Sequence, residues 1–140
     1  MLHRALLPVV VVAVALAGCT AQSTNKDSSG KFRGDQRLVA NTVEDFESAA
    51  CKGDQGQICR DLLAKALVGQ FAQHGGTCEK AVDRALKDTD SFGLTVEKVS
   101  ITGQQATARV TADRGKHDVL RTLTLIKEGP GWRISAFGSG

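Results

Sequence analysis

Apolar positions along this chain change their spacing twice, and the changes divide it. Residues Ala5 to Ala17 are an unbroken apolar run of 13 residues. From Thr20 to Arg37 the chain reads TAQSTNKDSSGKFRGDQR, with too few large apolar groups to bury itself, which predicts a flexible tether. From Leu38 onward the apolar residues recur with a helical period. Val39, Val43, Phe46 and Ala50 form one such stripe, which Gly53 ends. Ile58, Leu62, Leu63, Ala66, Leu67 and Phe71 form a second, which ends before His74-Gly75-Gly76. Thr77 then caps a third, in which Cys78, Ala81, Val82, Ala85 and Leu86 fall at i, i+3, i+4, i+7 and i+8.

After Asp90 the period becomes 2. Leu94 and Val96, then Val99 and Ile101, alternate with a slip near Glu97 that a β-bulge would produce. Beyond a turn at Gly103, Ala106, Ala108, Val110 and Ala112 alternate with Thr107, Arg109 and Thr111, one face dry and one wet. A third strand, from about Asp118 to Lys127, carries apolar residues on both faces. Glu128-Gly129-Pro130-Gly131 then turns the chain into a last strand, Trp132 to Phe137. Three helices followed by four antiparallel strands predict an α+β layer, with the helices covering one face of a curved sheet.

The length of 140 residues suits one domain, and 41% hydrophobic residues are enough for a globular core. Arg4 precedes the first apolar run and small residues close it, the three-part layout of a secretory signal. Thirteen residues are too short for a helix that spans a bilayer. The closing Leu16-Ala17-Gly18-Cys19 resembles the lipobox of bacterial lipoproteins. That resemblance implies cleavage before Cys19 and diacylglyceryl transfer to its thiol, with Ala17 and Gly18 small enough to enter the protease cleft. The expected organisation is a signal peptide at 1–18, a tether at 19–37 and a domain at 38–140. The expected location is the outer side of the cell membrane, with the lipid on Cys19 as the anchor.

After the signal the charge is uneven. Residues 19–37 hold 4 basic and 2 acidic side chains, 38–90 hold 6 and 9, and 91–140 hold 7 and 4, for net charges of +2, −3 and +3. A basic tether beside an anionic membrane gains at most about 1 kcal/mol per cation.

The order of features from 38 to 138 resembles small exported domains of the nuclear-transport-factor-like superfamily, the cone-shaped cystatin-like α+β fold. The residues that carry the likeness are Gly53-Asp54 at a helix end, Cys59 followed by Leu62-Leu63, Gly75-Gly76-Thr77-Cys78 before the next helix, and Gly131-Trp132-Arg133-Ile134 in the last strand. Cys51 and the expanded Gly129-Pro130-Gly131 turn depart from that pattern. Catalytic relatives place acids, His or Tyr inside the cone, and no residue here is assigned to such a floor.

With Cys19 lipidated, three of the 4 cysteines remain. Cys59 and Cys78 both face inward on their helices, and their pairing also matches what the resemblance implies. Cys51 to Cys59 is the alternative, across a segment that turns at Gly53 and Gly56. In the first case Cys51 is free or pairs between molecules. His74 and the cysteines lack zinc-site spacing, so no metal and no cofactor are expected. His117-Asp118 lies beside a turn, where neighbouring side chains point apart. The absence of Tyr removes a phenol-based oxyanion hole. No phosphate-binding glycine motif and no aromatic-studded basic strip for nucleic acid occurs.

Thr107, Arg109 and Thr111, with Arg133 and Ser135, form a possible basic interaction face on the sheet. Two functions follow from the sequence. One is a noncatalytic module that binds an envelope protein or a small apolar ligand. The other is a small hydrolase or isomerase working inside the cone, which needs a cavity of a few hundred Å³ rather than a cone filled by Phe46, Phe71 and Trp132.

Overall fold

The computed structural model describes residues 28–87, 93–113 and 117–138. The lipobox cysteine, Cys19, and the signal peptide lie outside them. Four strands form an antiparallel meander in the order β1-β2-β3-β4: β1 (Gly93–Thr102), β2 (Gln105–Asp113), β3 (Asp118–Glu128) and β4 (Gly131–Gly138). The helices α1 (Gly34–Lys52), α2 (Gln55–Gln57), α3 (Lys65–Gln73) and α4 (Cys78–Lys87) precede them. The class is the expected α+β.

Curvature of the sheet comes from two register breaks. The break between Val96 and Lys98 is the bulge that the parity slip at Glu97 predicted. A second falls between Thr124 and Leu125 of β3, where β4 carries the extra residue Ser135. Bulges increase local twist, so the sheet bends around what it covers. Val96, Ala108, Val110, Leu125 and Ile134 on its concave face are buried, as are Val39, Val43 and Phe46 of α1. The Thr42 hydroxyl lies 3.2 Å from the carbonyl oxygens of both Leu38 and Trp132, tying α1 to β4 with a shared donor.

Order begins before Leu38. α1 starts at Gly34, and a 3-10 turn, Ser28–Lys31, precedes it with Ser28 and Ser29 buried. Glu44 Oε1 accepts from Ser28 Oγ at 3.1 Å and from the Ser29 amide at 2.7 Å, while Ser28 Oγ accepts from the Val96 amide at 3.2 Å. Short polar side chains thus stitch this turn to α1 and β1, a role that composition alone does not reveal.

The second expected helix is two pieces. Ile58–Leu62 is a π turn closed by the Leu63 amide on the Ile58 carbonyl at 3.0 Å, and α3 starts only at Lys65. Between them Leu63 and Ala64 are extended; the Ala64 amide donates to the Ile134 carbonyl at 2.8 Å and Leu63 bridges Ile134. Leu62, Leu63 and Ala64 are all buried. Three consecutive residues cannot share one face of a helix, so the extended step buries all of them against β4.

Cys59 and Cys78 are joined, with Cα atoms 6.0 Å apart, fixing the π turn to the first residue of α4. Cys51 is also disulfide-bonded, and no described cysteine is a free thiol. This corrects the expectation of a free Cys51 thiol, and the bond between Cys59 and Cys78 removes the Cys51 to Cys59 alternative. Gly53, with φ 67°, ends α1 in the left-handed conformation; its amide bonds to Ala49 and Ala50. The Thr77 hydroxyl accepts from the Lys80 amide at 3.3 Å, the expected cap of α4.

Candidate functional site, a cavity under the sheet

A cavity of about 610 Å³ lies between the concave face of the sheet and the helices. Its walls follow from the sequence. Phe46 of α1, Phe71 of α3, and Val82 and Leu86 of α4 form the helical side; Leu94, Val110, Leu123 and Phe137 form the sheet side. The space exists because small residues stand where large ones would close it: Ala81 and Ala85 on α4, and Ala112 and Gly93 on the sheet. The stripe of α4 is therefore incompletely packed. Cys78 and Val82 are buried, Ala81 and Leu86 are half-buried, and Ala85 is exposed.

The three aromatics expected to decide between a filled and an open cone divide the work. Phe46 and Phe71 are walls of the cavity, while Trp132, 3% exposed, is packed in the core below it. At the mouth stands Phe137, 49% exposed, with its ring centroid 5.5 Å from that of Phe46. Gly138 beside it is required by strand pairing. A Cβ there would meet the Thr122 carbonyl oxygen at 2.8 Å.

The ionisable residues on the lining are Asp113 and Arg121. Asp113 is at the exposed end of β2, opposite Gly93 and Asp118. Arg121 is opposite Val110 and shares its strand face with Val119, Leu123 and Leu125, so it stands on the concave side. Sequence reading missed it because β3 is apolar on both faces. Its parity with Leu123 and Leu125 was the available sign.

Two carboxyls are perturbed, and both are on α1. Burial, with a smaller contribution from the neighbouring charge of Glu44, pushes Asp45 up. Burial also pushes the Glu47 carboxyl up, partly opposed by the Leu94 amide, which donates to Oε2 at 2.9 Å, and reinforced by Glu44. Neither lines the cavity. Glu47 sits where α1 meets β1 and is 9% exposed, whereas Asp45 is on the exposed side of α1.

Arg109 and Arg133 are both on the convex face but are not neighbours. Arg109 is exposed, opposite Lys98 on one side and Thr122 on the other. Arg133 is opposite Ile126, four residues further along β3, or about 13 Å. Its Nη1 donates to the Arg60 carbonyl at 2.6 Å, so that guanidinium holds the π turn to β4. Ser135 Oγ donates to the Thr124 carbonyl at 3.1 Å. His74 ends α3 and His117 begins the approach to β3; both are exposed and neither lines the cavity. Among the described residues no group of three His, Cys, Asp or Glu side chains is placed to hold a metal.

No family model and no curated protein matches the chain. A solved structure does. It is a protein of the NTF2-like family from Streptomyces avermitilis, proposed to be a dehydratase, with a TM-score of 0.53 over 74% of this chain and 93% of that one, at 20% identity. The likeness shows the fold. The domain is an α+β cone of the NTF2-like type, the fold that the order of sequence features anticipated.

Proposed function

We propose that this chain is an exported, lipid-anchored protein whose domain binds a small apolar ligand in the cavity without catalysis. The observation that carries the reading is the cavity itself. A space of about 610 Å³ walled by Phe46, Phe71, Val82, Leu86, Leu94, Leu123 and Phe137 falls in the size and polarity range of small-molecule sites. The anchor rests on Leu16-Ala17-Gly18-Cys19 and the signal-like segment before it. It would place the domain at the outer surface of the cell membrane, within reach of membrane-derived and envelope molecules.

The runner-up is a small enzyme working on an apolar ligand. It draws support from the open cavity and from the activity proposed for the structural neighbour. Of the two ionisable residues on the lining, Asp113 is the one whose side-chain type serves as a general base. It stands at the exposed rim, where a base gains nothing from exclusion of water, and this favours the binder. A convex-face protein interaction through Arg109 is the less supported form of the binding reading, because Arg133 is already engaged.

Filling the cavity tests the reading. Ala112 is half-buried on the lining, and Ala112→Phe should occupy the space while leaving the far-UV circular dichroism unchanged. An environment-sensitive apolar dye should bind the native domain and bind the variant at least tenfold more weakly. Equal dye binding by both proteins would refute the cavity as the site.

A further inference from the structure

We infer that the cavity selects an amphiphile with a carboxylate head, held by Arg121, with its apolar tail between α4 and the sheet. This deepens the ligand-binding reading and rests on it. The concave face of the sheet is otherwise apolar: Leu94, Val96 and Val99 on β1, Ala106 to Ala112 at alternate positions on β2, Leu123 and Leu125 on β3, Trp132 and Ile134 on β4. One cation interrupts it. Arg121 occupies an inward register position opposite Val110, is half-buried, and lines the cavity beside Leu123.

Its guanidinium makes no hydrogen bond or ion pair among the described residues. The other basic groups there that form ion pairs are Arg60 with Asp61, Lys87 with Asp83 and Lys127 with Asp35. With five donors and no protein acceptor among the described residues, this guanidinium is available to an anion that enters the cavity. The planar fork matches a carboxylate with two parallel N–H···O bonds. One cation suits one negative charge. The remaining walls, Phe46, Phe71, Val82 and Leu86, offer only dispersion and burial, which suits an alkyl or alicyclic tail.

Calorimetric titration with three twelve-carbon probes below their micelle concentrations tests this: dodecanoate, 1-dodecanol and dodecyltrimethylammonium. Dodecanoate should bind the native domain at least tenfold more tightly than dodecanol, the advantage of a charge-assisted hydrogen bond. Arg121→Met should bring dodecanoate down to the affinity of dodecanol without lowering the thermal midpoint, since it removes an unpaired cation. Arg121→Lys should retain part of the preference. Equal binding of dodecanoate and dodecanol, or an unchanged dodecanoate affinity in Arg121→Met, overturns the carboxylate assignment and leaves the apolar site standing. A preference for dodecyltrimethylammonium also overturns it. Binding of none of the three overturns the ligand-binding reading as well.

Discussion

Single side chains in this domain fall into those whose environment the sequence announces and those it hides. Thr77, Gly53 and Cys78 announce themselves through local chemistry: a cap, a left-handed stop, a polarisable group on an apolar stripe. Arg121 and Glu47 do not, because their burial is decided by partners distant in sequence. Glu47 meets the Leu94 amide 47 residues away, and Arg121 is turned inward by the register of β3 against β2. Glu47 has a measurable consequence. Its carboxyl titrates higher in the folded domain than in the unfolded chain, so folding favours the protonated form. That contribution is complete below the ordinary carboxylate range and is lost as pH rises through the raised value, leaving a cost at neutral pH. Glu47→Gln keeps an acceptor for the Leu94 amide and removes the charge. The variant should unfold at a higher temperature than the native domain at pH 7, and the two midpoints should converge near pH 4. A variant less stable than the native domain at pH 7 would assign the ionised carboxylate a net stabilising role.

Elements are where periodicity succeeded and where it was overruled. The change from a period of 3.6 to 2 located every strand, and the parity slip at Glu97 located a bulge. A slip of the same kind was present in Trp132, Ile134 and Phe137, whose spacing places the extra residue at Ser135. The apolar run from Ile58 to Phe71 misled for a physical reason. Its spacing fits one helix, but the Leu63–Ala64 step pairs with Ile134 of β4, and a backbone bond to a strand 70 residues away leaves no trace in a local pattern. The bridge between Cys59 and Cys78 then fixes this broken region to α4 across a sequence separation of 19. Closing such a loop stabilises by about 3 kcal/mol in the chain-entropy model. The double variant Cys59→Ala, Cys78→Ala should therefore melt about 10 to 20 °C lower. Because that bridge holds the N-terminus of α4 against the cavity wall, binding of the apolar dye should weaken as well. A midpoint within 2 or 3 °C of the native value, a loss of about 0.5 kcal/mol or less, would show that packing alone seats α4.

At the scale of the whole molecule, the cysteines connect the fold to the proposed anchor. The sequence has 4 of them, and Cys59 and Cys78 use each other. Cys51 is disulfide-bonded, so its partner is not among the described cysteines. Within one chain Cys19 is the remaining cysteine, and a lipid thioether and a disulfide cannot share its sulfur. The two fates give different molecules. With lipid on Cys19, Cys51 must bond to a second molecule, and the protein sits in the membrane as a covalent oligomer or mixed disulfide. With Cys19 bonded to Cys51, the N-terminal segment is fastened to the last turn of α1 and the protein is released from the membrane after export. The lipobox pattern favours the first. Unreduced mass spectrometry of the protein extracted from its native membrane should find the peptide beginning at Cys19 carrying acyl mass, and Cys51 in a crosslink between chains. Cys19→Ala should then appear in the soluble exported fraction with the cavity and its dye binding intact, because the residues lining the cavity run from Phe46 to Gly138. A Cys19–Cys51 crosslinked peptide without acyl mass would overturn the anchor and make the protein a soluble exported binder, with the cavity reading unaffected.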